Sequence, residues 1–60
     1  MKVWVSIVST LVFINRQSAI NTYTNLGYRL TRYNDSWMEF TRSSDGHIVN
    51  LIEEVVIVND

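Results

Sequence analysis

"VWVSIVSTLVFI", residues 3–14, is a run of twelve residues without a charge, a glycine or a proline in a chain of 60. Its Val, Ile, Thr and aromatic side chains suit a pleated surface and lose rotamer freedom in a helix, so the run predicts one long strand. A straight strand puts Val3, Val5, Ile7, Leu11 and Phe13 on one side and Trp4, Val8, Val12 and Ile14 on the other. Both sides are apolar, and such a strand needs cover on both. A bulge or sharp bend within residues 6 to 10 would exchange the faces.

Two other readings of the run are set aside. It is shorter than the roughly 20 apolar residues of a membrane span. It lacks the Leu/Ala richness of a secretory leader, the residues after it, Asn15-Arg16-Gln17-Ser18-Ala19, hold no convincing small-x-small cleavage site, and its removal would leave too little chain to fold. Neither a leader nor a membrane anchor is expected.

Beyond the run, Asn15 can cap a helix by accepting from a free amide of the first turn. Ala19, Ile20, Tyr23 and Leu26 then fall on one helical stripe, and Gly27 supplies a residue that tolerates a left-handed stop. The spacing predicts a short amphipathic helix over 16–26. Its Asn21, Thr22, Thr24 and Asn25 are weak helix formers, so packing on a sheet must hold it. From Tyr28 the period drops to two. Tyr28 and Leu30 alternate with Arg29 and Thr31, and after the turn residues Asn34-Asp35-Ser36, Met38 and Phe40 alternate with Trp37, Glu39 and Thr41, which predicts an antiparallel hairpin; a second turn, Ser43-Ser44-Asp45-Gly46, with Gly46 where positive φ is needed, leads into a last strand. That strand is also apolar on both sides, with Val49, Leu51, Val55 and Ile57 set against Ile48, Ile52, Val56 and Val58.

The expected architecture is a single α+β domain over residues 1–60 in the order strand, helix, strand, strand, strand, with one amphipathic helix packed on an antiparallel-rich sheet. One helix covers one face. Some other surface must cover the second, and a second copy of the chain is the simplest candidate, as a sheet-on-sheet or edge-joined homodimer. Size points the same way. A 60-residue domain buries only about 60% of the surface its unfolded chain exposes, and small domains make up the deficit with disulfides, metals or oligomerisation. The chain has no Cys and one His, so the first two are not expected. The residues assigned to self-association are Trp4, Val8, Val12, Ile14, Val56 and Val58.

No arrangement of residues suggests catalysis. Ser43, Ser44, Asp45 and His47 are crowded into one turn, where a nucleophile, base and orienting acid cannot line up. Glu53 and Glu54 are adjacent on a strand and point to opposite faces. Phosphate-binding and dinucleotide glycine motifs are absent, since Gly27 and Gly46 are the only glycines. Asn34-Asp35-Ser36 fits the N-glycosylation pattern but reads as turn chemistry. No cofactor and no metal are expected, and the chain is not expected to be an enzyme.

The stretch with most recognition content is "YRLTRYNDSWMEFTR", residues 28–42. Arg29, Arg32, Tyr33, Trp37 and Arg42 are the candidate partner-binding residues, because Trp, Tyr and Arg dominate interface hot spots. Arginines interleaved with aromatics can also stack bases and meet phosphates. Residues 1–34 carry four cations and no acid, while residues 35–60 carry six acids and Arg42 alone. In a compact fold such halves interleave, and the formal charge of −1 lacks the basic excess of nucleic-acid binders. A protein partner is therefore expected first, and nucleic acid or a nucleotide second. In size, in lacking catalytic residues and in its expected dimerisation, the chain is similar to the small proteins that phages encode to bind and block host machinery, including anti-defence inhibitors. That resemblance implies a host protein as partner and the host cytoplasm as location.

Overall fold

In the computed structural model, which describes residues 1–8 and 11–57, the opening run is not one strand. It folds back on itself as β1 (Lys2–Ser6) and β2 (Val12–Phe13), antiparallel, with Trp4 opposite Phe13 and Val5 opposite Val12. The Ser6 N–H donates to the Leu11 carbonyl at 3.2 Å. Parity supplies the reason for the correction. In a straight strand Trp4 and Phe13 would face opposite sides, whereas after the reversal both face the helix and share one core. A straight twelve-residue strand would also reach about 40 Å, well past its shorter neighbours.

The other elements follow the expected order: α1 (Arg16–Asn25), β3 (Tyr28–Tyr33), β4 (Trp37–Arg42) and β5 (Ile48–Val55). The five strands form one antiparallel sheet in the order β2-β1-β5-β4-β3, so the first long strand and the last lie side by side at its centre. The helix packs across one face. Trp4, Phe13, Met38, Phe40, Val49 and Leu51 rise from the sheet to meet Ala19 and Tyr23 of α1. Tyr23 is the hub: its ring stacks on Phe40 at 4.9 Å, meets Tyr28 edge-on at 5.4 Å and tilts against Phe13 at 5.7 Å. Its hydroxyl hydrogen-bonds the buried Ser6 side chain, and burial pushes its pKa above the ordinary value.

Local chemistry sets the boundaries. Asn15 accepts the Ser18 N–H at 2.8 Å through Oδ1, the capping bond its position predicts. Gly27 and Gly46 have φ of 90° and 76°, where any other residue is strained. Leu26, expected in the helical stripe, is instead the C-cap residue and is 58% exposed. At the β3–β4 turn Asn34 Oδ1 accepts from the Ser36 and Trp37 amides at 2.8 and 3.0 Å. In β3 the register shifts between Leu30 and Arg32. Thr31 is the extra residue of a bulge, and its hydroxyl reaches Glu39 Oε2 at 2.9 Å and Thr41 Oγ1 at 3.0 Å, so Thr31 and Arg32 both turn to the side away from the helix.

Candidate functional site

The face of the sheet away from α1 carries a row of apolar side chains that crosses four strands. Val5 stands opposite Val12 on one side and Ile52 on the other, and Ile52 stands opposite Trp37. Directly opposed residues in antiparallel pairs have Cβ atoms about 5 Å apart, so the four form a continuous strip. Val12 is 59% exposed and Ile52 38%, while Val5 and Trp37 are half-buried. Two further rows continue the face, the polar Asn50–Glu39–Arg32 and the mixed Ile48–Thr41–Arg29. Beyond the apolar strip, Val3 stands opposite Glu54; Val3 is buried yet lies outside the helix-side core.

This geometry redistributes the residues singled out by the sequence. Arg29, Arg32 and Trp37 lie on the open face. Tyr33 and Arg42 do not: Tyr33 pairs with Met38 and Arg42 with Tyr28, both on the helix side. Arg42 is already engaged, through Nε and Nη2, with the two carboxylate oxygens of Asp45 at 2.9 and 2.6 Å, and its guanidinium lies 5.4 Å from the Tyr28 ring centre. Those bonds, with one from the His47 N–H at 3.1 Å, hold the Asp45 carboxyl below the usual carboxylate range. Tyr33 is 66% exposed beside Arg16, whose guanidinium stacks 4.5 Å over Trp4 and donates to the Asn34 carbonyl at 2.8 Å.

Of the residues assigned to self-association, Trp4 is corrected outright. It is 4% exposed inside the core of a single chain and is inaccessible to a second one. Its place on the outer side of β1 is taken by Val5, because the two residues alternate. Val12 belongs to the open strip; Val8, Ile14 and Val56 are exposed at the surface; Val58 lies outside the described residues. Val5 and Ile52 are the members the sequence reading left out of the site. Their signal was parity with Trp37, legible only once the strand order was known.

The charges of the two halves interleave. Lys2 pairs with Glu53 at 3.8 Å, Arg32 stands opposite Glu39 in register, and Arg42 holds Asp45. The open face carries charges of both signs, Arg29 and Arg32 on β3, Glu39 on β4 and Glu54 on β5. Among the described residues there is no cluster of His, Asp and Glu that could hold a metal, no pocket, and no helix long and apolar enough to cross a membrane. Set against protein-family models, curated proteins and solved structures, the chain has no match.

Proposed function

We propose that this protein works by binding another protein through the open face of its sheet and carries out no chemistry of its own. The supporting observation is the cross-strand strip Val12–Val5–Ile52–Trp37, an apolar band with an aromatic anchor at one end and charges of both signs beside it. An apolar centre with a polar rim is the usual composition of a protein interface, and Trp and Arg are its commonest anchors. The nucleic-acid reading is weakened by the same geometry. Of Tyr28, Tyr33, Trp37 and Phe40, only Trp37 faces the open side, so no platform of stacked aromatics is formed there.

A second copy of the chain is the first partner to test. Both edges of the sheet discourage strand-to-strand pairing, since β2 is two residues long and β3 carries a bulge and two arginines. Face-to-face packing is thereby favoured over an edge-joined dimer. A host protein blocked by this face, in the manner of small phage-encoded inhibitors, is the extension of the same proposal to a heterologous partner.

Sedimentation equilibrium in the micromolar range, run on wild type and on Ile52→Lys, tests the surface, and titration into labelled single- and double-stranded DNA and RNA tests the alternative. The expected result is association of the wild type, a monomeric and folded Ile52→Lys, and no nucleic-acid binding even at low salt. A wild-type monomer would remove the second copy as partner. Tight nucleic-acid binding with a steep negative salt slope would overturn the protein reading altogether.

A further inference from the structure

The turn between β4 and β5 contains the one Asp-Gly step in the chain, Asp45-Gly46. In an unstructured chain such a step is chemically labile. The Gly46 amide nitrogen, unhindered because its own residue has no Cβ, attacks Cγ of Asp45. A C–N bond forms, the bond from Cγ to the carboxyl hydroxyl breaks, and one water leaves carrying that hydroxyl and the amide proton. Water then opens the succinimide at either carbonyl and returns aspartate or isoaspartate, the latter with one extra methylene in the backbone. Asp45 and Gly46 are exposed, and no heavy atom outside Gly46 and its two chain neighbours approaches within 4 Å of where a Gly46 Cβ would stand.

Both reacting groups are nevertheless committed elsewhere. The Asp45 carboxylate is held by the Arg42 fork at 2.9 and 2.6 Å and by the His47 N–H at 3.1 Å. The Gly46 N–H donates to the Arg42 carbonyl at 2.8 Å. We propose that Asp45-Gly46 is a latent site of aspartyl isomerisation that the Arg42 side chain keeps closed in the folded protein. The clamp ties both carboxylate oxygens to Arg42 and favours the ionised carboxylate, whose oxygen leaves far less readily than that of the neutral acid. Ring closure would also require the Gly46 N–H to give up its carbonyl partner. The consequence of failure is structural. An added methylene would break the turn that sets β4 against β5, and with it the register of Thr41 opposite Ile48 on the open face.

The test compares isoaspartate accumulation, read by peptide mapping, in folded wild type, folded Arg42→Ala and the full wild-type chain held unfolded in urea, all at neutral pH. The expected order is slowest in folded wild type, severalfold faster in Arg42→Ala, fastest in the unfolded chain. Circular dichroism confirms that the variant is folded. If Arg42→Ala does not fold, Arg42→Lys, which keeps the charge and loses the two-pronged bond, takes its place with the same expected direction. Folded wild type reacting as fast as the unfolded chain, or a folded Arg42 variant reacting no faster than wild type, overturns the proposal.

Discussion

The two faces of the sheet are built from the same strands and differ in what they do with apolar side chains. On the helix side, Met38, Phe40 and Leu51 are wholly withdrawn from solvent, and the Tyr23 ring ties three other aromatics together. On the open side, Ile52 and Val12 remain partly exposed, and the only large aromatic, Trp37, is half-buried. Burial scales with the free energy a side chain contributes, so one face holds the chain folded while the other is left with apolar surface to offer. A substitution on one side should therefore move stability, and one on the other should move association.

Phe40→Ala breaks the covered face most severely, removing the ring stacked on Tyr23 from a fully buried position. A loss of about 3 to 5 kcal/mol is expected, enough to unfold much of a domain this small, as read by urea denaturation. A smaller loss tests the helix that covers this face. Asn15→Ala deletes the bond to the Ser18 amide and should cost about 1 kcal/mol in the same experiment. Ile52→Lys sharpens the contrast from the other side. It should abolish self-association while changing the urea midpoint little, because the lysine stem can lie along the strip with its ammonium in water. An Ile52→Lys chain that unfolds would show that the open face is needed for folding as well.

The gentlest probe is pH. Asp45 binds its proton more weakly in the folded chain than in the unfolded one, chiefly because Arg42 holds the carboxylate. Its contribution is complete above the ordinary carboxylate value of 3.8 and is lost as the pH falls below it. Tyr23 acts at the other end, on the covered face. Burial raises its pKa, so its contribution is complete below the ordinary value of 10.0 and is lost as the pH rises past it. Thermal midpoints of wild type and Asp45→Asn should converge in acid, and those of wild type and Tyr23→Phe should diverge in alkali as wild type falls.

Several elements were legible because their cause lies within a few residues. Asn15 caps, Gly27 and Gly46 take positive φ, Asn34 closes its turn by accepting from the Ser36 and Trp37 amides, and residues 28–42 form the hairpin their period of two predicts, apart from the bulge at Thr31. Each is a local bond or a local steric rule. The reversal after Ser6 had no such marker, since residues 7–11 contain neither glycine nor proline nor asparagine. Apolar strand formers are the same letters whether the strand continues or folds back. What decides is whether Trp4 and Phe13 can share the core beneath the helix, and that depends on α1, β4 and β5 being in place. The bulge at Thr31 is of the same kind. It is visible only against Glu39 on the neighbouring strand, and it is what turns Arg32 onto the open face. The sequence by itself determined that there would be more apolar strand surface than one short helix can cover. Tertiary structure alone decided which residues remain uncovered, because the side a strand residue faces depends on where the chain bends and which strand lies beside it, and neither is a property of that residue or its neighbours in sequence.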